Sequence, residues 1–385
     1  MNVADRMAEI QPFHVMELMA KAKALEAQGR SIIHMEVGEP DFRTPQPVVE
    51  AAQRFIATGQ VFYTNALGLP QLREAIAGFY ATRYGLGVDP ARIVVTAGAS
   101  GALLLALGAL VNPGDEWLLT DPGYPCNRHF IRLLEGRPRA IPVDATTGFQ
   151  PTPEKVGAGW TANTRGLLVA SPNNPTGTMI EPSRLAELAL AVRSRGGTLI
   201  VDEIYHGLTY DTDARTALEI ADDIVVINSF SKYFGMTGWR LGWMVVPPGM
   251  VRDIEKLAQN LFIAPSAPAQ HAALAAFQPE TLAILEARRK EFRARRDLLL
   301  PGLRTLGFRI DAVPQGAFYI YAGIGDLGTD SHALASDLIE RAGVAATPGL
   351  DFGANAPERH MRFAYTVAAE KLGDGLDRMA RHFRI

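Results

Sequence analysis

The sequence predicts an α/β protein: a large domain with a mostly parallel sheet flanked by helices, plus a smaller α+β domain. Three observations predict it. Apolar runs of strand length alternate with helical stretches through the middle of the chain, as in βαβ units. Each of those runs ends in a loop rich in Gly, Pro, Ser or Asn. Past about residue 280 the alternation stops, and a long charged helix leads into short strands. The expected large domain spans 46–280, and residues 1–45 with 281–385 make the smaller one, a division that suits a chain of 385 residues.

In chain order, residues 12–29 set Phe13, Met16, Met19, Ala20 and Ala24 at helical spacing and stop at Gly29. Ser31 to Val37 is a short strand, and Gly38-Glu39-Pro40-Asp41-Phe42 turns after it. The strands of the large sheet are Ile93–Thr96, Trp117–Thr120, Gly166–Ala170, Thr198–Val201 and Ile224–Ile227. The later elements are a helix over Leu282–Leu300, strands at Phe308–Ala312 and Ala317–Tyr321, a helix near His332–Ala342 and a strand at His360–Tyr365.

Composition excludes several function classes. Hydrophobic residues are 48% and charged residues 21%, an ordinary globular balance. A net charge of -3 with scattered arginines offers no footprint for nucleic acid or an anionic membrane. Cys126 is the only cysteine, so no internal disulfide and no Cys-based metal site forms. The longest apolar run, Ala102 to Val111, is too short to span a bilayer. Residues 1–10 lack the apolar segment of a secretory signal, and a cytoplasmic protein is the expectation.

Ligands of open α/β sheets bind at the carboxyl ends of the strands, where the polar loops gather. Thr96-Ala97-Gly98-Ala99-Ser100-Gly101 leads into an apolar helix, whose first N–H groups suit a phosphate; a plain helix start reads equally well. It is not a dinucleotide finger, because Thr96 stands where the first glycine of G-x-G-x-x-G should be. Asp202 ends an apolar strand as a bare carboxylate, suited to a ring nitrogen or to capping the next helix. No His or acid cluster accompanies it to make a metal site. In Ser229 through Arg240, Lys232 sits between hydroxyls and an arginine. An amine there can attack a carbonyl, and Ser229, Ser231 and Arg240 can hold a phosphate, although a lone lysine after a strand is usually a solvated loop residue. Aldehyde and phosphate together are the chemistry of pyridoxal 5'-phosphate.

These segments, in this order and over nearly the whole chain, resemble the class I/II aminotransferases of pyridoxal-phosphate fold type I. The resemblance rests on Gly38–Phe42, Tyr63-Thr64, Gly68, Leu72-Arg73, Ala99-Ser100-Gly101, Pro122-Gly123-Tyr124-Pro125 and Asn173–Gly177. It extends to Asp202-Glu203-Ile204-Tyr205, Ser229–Arg240 and Met361-Arg362-Phe363. It implies that Lys232 is the Schiff-base lysine and proton carrier. Asp202 would pair with the pyridinium nitrogen, Tyr205 and Asn174 with the 3-hydroxyl oxygen, and Tyr124 would stack on the ring. The phosphate would lie on Ala99, Ser100, Gly101, Ser229, Ser231 and Arg240, with Tyr63 reaching it across a homodimer interface. Arg362 would grip the substrate carboxylate, aided by Asn174 and Gly38. The implied activity is ping-pong transfer of an amino group between an L-amino acid and a 2-oxo acid.

Two departures bear on the substrate. Gln259–Ala264 lacks the second arginine of one dicarboxylate-specific branch, and Ser100-Gly101 stands where another branch has a lysine. Both count against a strictly aspartate-specific enzyme, while Phe13, Tyr124 and Phe262 suggest an apolar or aromatic side-chain pocket. The same cofactor residues would serve carbon–sulfur β-elimination, which is the nearest alternative. A cofactor-sensing effector domain of a transcription regulator is disfavoured, because no helix-turn-helix or basic stretch precedes the first helix.

Overall fold

A computed structural model describes residues 2–384. The first strand, β1 (Ile33–Met35), precedes a seven-stranded sheet. That sheet comprises β2 (Ile93–Thr96), β3 (Glu116–Asp121), β4 (Arg137–Pro142), β5 (Thr164–Ala170), β6 (Thr198–Asp202), β7 (Val225–Ser229) and β8 (Gly242–Val245). Its order is β2-β8-β7-β6-β5-β3-β4. Only β8 runs against its neighbours; every other pairing is parallel. A second sheet joins β1 to β9 (Tyr319–Gly323), β10 (Val344–Pro348) and β11 (His360–Ala364) in the order β1-β10-β11-β9.

The near-continuous apolar runs of the central strands follow from burial on both faces. Successive residues alternate between two cores, as a period of two requires. Leu167, Val169, Leu199, Val201 and Val226 face one core, and Leu168, Ile200, Val225 and Ile227 face the other. Each such side chain contributes roughly 1.5–3 kcal/mol through burial. The strand ends beneath the polar loops are therefore rigid mounting points.

The predicted fold class holds, with local corrections. β4 was not anticipated, because Arg137-Pro138-Arg139-Ala140-Ile141-Pro142 is polar and proline-containing. It is tolerated at the sheet edge, where a missing ladder donor faces outward. β8 and β10 were also missed; both are short, and β8 follows the lysine loop directly. Phe308–Ala312 forms no strand, only a bridge between Arg309 and Gly323. The helix expected to begin near Ala102 begins at Gly98, so Ala99, Ser100 and Gly101 are its first turn. The helix near His332–Ala342 is an α-helix to Asp337 and a π-helix beyond it.

Candidate active site

A cavity of about 340 Å³ opens where β5, β6 and β7 end and the second sheet approaches. Gly38, Ala99, Ser100, Tyr124, Asn174 and Asp202 line it. Tyr205, Ser231, Lys232, Arg240 and Arg362 complete the predicted set that it brings together. Three predicted residues lie off its wall. Gly101 lies within the helix it helps start, where a Cβ would meet Ala97 and Thr96 first and Phe262 at 3.9 Å. Ser229 is buried behind the wall, its hydroxyl oxygen 3.1 Å from the Leu241 carbonyl and accepting from the Ser231 N–H. Tyr63 is 81% exposed on the outer surface.

Lys232 follows β7 on a loop anchored by the buried side chains of Phe230, Tyr233 and Phe234. Its Nζ donates to the Gly38 carbonyl oxygen at 2.8 Å. Burial pulls its pKa down to about 8, aided by the positive charges of Arg362 and Arg240 and opposed by Glu39 and Asp202. Only the neutral amine attacks a carbonyl, and a pKa of about 8 leaves roughly one molecule in ten neutral at pH 7 and about ten in eleven at pH 9. The rate at which an aldehyde probe is captured, measured by borohydride trapping and mass analysis, is therefore expected to rise about tenfold over that range. A flat profile, or a rise only above pH 10, would contradict this environment.

Asp202 ends β6 almost fully buried. One carboxylate oxygen accepts from the Ile204 N–H at 3.0 Å, and the other has no hydrogen-bond partner among the described residues. Burial raises its pKa to about 6, against the opposing effects of that N–H and of Lys232. It therefore caps a turn rather than a helix, and it keeps a free oxygen for a cationic N–H. Tyr205, three residues on, is buried, and its phenol lies 3.2 Å from that of Tyr319. Asn174 accepts from Arg362 Nη1 at 2.9 Å through Oδ1, so its amide N–H groups remain available.

The opposite end suits an anion. The helix Gly98–Leu110 begins there, presenting unpaired N–H groups. Gly98 has φ +70, and a Cβ there would come within 2.7 Å of Arg240 Nη2. The left-handed backbone there favours glycine, which also leaves the guanidinium room against the helix start. Arg240 itself adopts φ +51, an uncommon conformation for a side-chain-bearing residue, with Nη1 held at 3.0 Å by the Thr237 carbonyl.

Arg362 sits mid-β11, 2% exposed. Its side-chain hydrogen bonds go to neutral oxygens: Asn174 Oδ1, the Glu36 carbonyl and Thr347 Oγ1. Its guanidinium lies over the rings of Tyr319, at 4.4 Å, and Phe352, at 4.8 Å. A buried cation held only by dipoles and rings is a receptor for an anion, because an unpaired buried charge is costly. The Gly38–Phe42 turn that faces it is fixed from outside: Arg295 Nη1 pairs with Asp41 at 2.8 Å, and Phe42 meets Phe292 edge-on.

The remaining wall is apolar. Phe13, Val15, Met16 and Met19 reach it from the start of the helix His14–Ala27. Asp351 fixes that helix start by accepting from the His14 and Val15 N–H groups, each at 2.9 Å. Phe262, read from the sequence as a pocket aromatic, instead packs with the core beside the first turn at Gly101. Sequence reasoning missed Tyr319, Glu36 and Thr347. The aromatic run Phe318-Tyr319 after Gly316 was a usable signal for the first; nothing local marks the other two.

An amine, a carboxylate and two guanidiniums around one cavity suit amino-group chemistry, and comparison with known proteins shows the family. The model of the family "Aminotransferase class I and II" matches residues 30–379. The valine–pyruvate aminotransferase of Mycobacterium tuberculosis is 38% identical over 97% of this chain and 96% of its own. The aspartate/prephenate aminotransferase of Thermus thermophilus is 35% identical over 99% and 98%. Among solved structures, an aminotransferase from M. tuberculosis superposes with a TM-score of 0.96 at 38% identity, covering 100% of this chain and 99% of that one. The T. thermophilus aspartate aminotransferase with maleate gives 0.93 at 34%, covering 99% of each. The chain belongs to the class I and II aminotransferases. It is a transaminase of fold type I, in a family that uses pyridoxal phosphate. Among the described residues, no helix is long and apolar enough to cross a membrane.

Proposed function

We propose that the protein binds pyridoxal 5'-phosphate in this cavity and transfers amino groups between an L-amino acid with an apolar side chain and a 2-oxo acid. One observation carries the reading: a single cavity holds a buried amine with a lowered pKa between a carboxylate with a free oxygen and a guanidinium with no anion. The residues fit the cofactor. Lys232 would hold its aldehyde carbon, Asp202 its ring nitrogen, Tyr205 and Asn174 its phenolic oxygen, and Tyr124 its ring face. Ala99, Ser100 and Gly101 at the helix start, with Ser231 and Arg240, would take the phosphate; Ser229 braces Ser231 from behind. When bound, the cofactor supplies an electron sink that acidifies the substrate Cα–H bond. Lys232 would take the Cα proton and release it at the cofactor's former aldehyde carbon, while Arg362 and Asn174 would orient the α-carboxylate beside Gly38.

The apolar donor follows from the wall of Phe13, Met16 and Met19 and from the assigned work of each cavity cation. A donor–acceptor screen tests it. Valine, leucine and related donors with pyruvate or 2-oxoglutarate should exceed aspartate in kcat/KM by about tenfold or more, the usual discrimination of an apolar pocket. Pyruvate and ammonia released without any acceptor would overturn transamination in favour of β-elimination.

The functional unit is read as a cytoplasmic homodimer. Val61, Phe62, Tyr63, Leu261 and Ile263 are exposed apolar residues on two segments joined by Gln270, which donates to Thr64 and to the Pro265 carbonyl. Ile263 has φ +64, rare for a β-branched residue, which supports an interface role for this loop. Tyr63 would reach the partner's phosphate site from there. Residues 46–280 are read as the cofactor domain, and 1–45 with 281–385 as the smaller one, a division supported by β1 sharing its sheet with β9–β11.

A further inference from the structure

We infer that Tyr319 is a positioning residue that joins the substrate-carboxylate clamp to the hydroxyl of Tyr205, its ring serving one and its phenol the other. This rests on the proposed cofactor site. Tyr319 opens β9 and is 2% exposed. Register pairs it with Ala364 on β11, two residues past Arg362. The ring is the platform under the Arg362 guanidinium, 4.4 Å from its centroid. The phenol lies 3.2 Å from the Tyr205 phenol. A Cβ on Gly38 would sit 1.7 Å from the Tyr319 oxygen, so glycine is required for the phenol to approach the backbone that receives Lys232. One side chain thus touches the clamp, the phenol pair and the turn that holds the amine.

Each contact has a separable consequence. A cation held over a ring face keeps its plane, which leaves the Arg362 fork set for a bidentate carboxylate. The two hydroxyls share one hydrogen bond in which either can donate; with an acceptor oxygen in front of Tyr205, Tyr319 is the one that donates, and Tyr205 is polarised into a stronger donor to that oxygen. The charged and titratable groups facing the phenol pair are Tyr124 and Arg362, with Asp202 and Lys232 on the adjoining strand ends. Neither Tyr319 contact demands direct bonding to substrate or cofactor.

The test uses the cofactor-loaded protein and two variants. Tyr319→Phe keeps the platform and removes the hydroxyl. The pH midpoint of the cofactor's visible band should rise by about 0.3–1 pH unit, the scale of one lost hydrogen bond, with donor KM within about twofold of wild type. In a Tyr205→Phe background the same change should move the midpoint no further, because its route runs through Tyr205. Tyr319→Leu removes the platform as well, and donor KM should rise roughly threefold to thirtyfold. A Tyr319→Phe band titrating at the wild-type midpoint would overturn the inference, as would an equal shift without the Tyr205 hydroxyl. A wild-type protein that shows no visible band would instead overturn the cofactor site itself, and the two failures are distinguishable.

Discussion

Replacing Lys232 with Ala is expected to lower turnover by at least about 10⁴-fold while the protein stays folded. The lysine has two tasks in the proposed reaction, as covalent anchor and as the base that moves the Cα proton, and among the described residues no second amine lines the cavity. Its contribution to stability is small by comparison. The side chain gives up one hydrogen bond to Gly38, worth about 1 kcal/mol, and relieves the cost of a cation held where burial disfavours it. The melting temperature should therefore move little, and borohydride should no longer fix the cofactor to the chain. Added small amines should restore part of the rate, since they can carry the proton without the tether. A variant keeping a tenth of wild-type activity would place the catalytic amine elsewhere.

The fold and much of the site were legible because both are written in local signals. Parallel strands buried on two faces read as unbroken apolar runs, and their loops declare themselves by Gly, Pro and Asn. Asp202 and Lys232 stand out for the same reason: polar groups at or just past the ends of apolar strands have few structural uses. What was not legible depends on tertiary contact. β4 is a strand because it lies at an edge beside β3, not because Arg137-Pro138-Arg139 favours one. Glu36 and Thr347 hold Arg362 through a backbone carbonyl and a hydroxyl, groups that any sequence supplies. Tyr319 matters through residues far from it in sequence: Tyr205, 114 residues before it, Arg362, 43 residues after it, and the turn at Gly38. Phe262 had the right chemistry for the pocket and the wrong address, because helix packing turned it toward Gly101.

Arg362→Ala should reduce kcat/KM for the amino donor by about 30-fold to 10³-fold, mostly through KM, with the cofactor's visible band intact. The guanidinium supplies a planar, charge-assisted fork for the α-carboxylate, and its place in a buried site makes that pairing strong. Arg362→Lys should recover little of the loss. A lysine offers a point charge on a flexible stem and cannot span Asn174, Thr347 and a carboxylate from one plane. An alkylamine of similar length but without a carboxylate separates recognition from general damage. Wild type and Arg362→Ala should process it at similar, low rates if the arginine acts on the carboxylate alone. Should the variant lose the amine reaction as severely as the amino-acid reaction, Arg362 would be holding the cavity together rather than reading the substrate. The geometry favours reading: the fork is already fixed by neutral oxygens and a ring face, so substrate meets a cation whose orientation was set during folding.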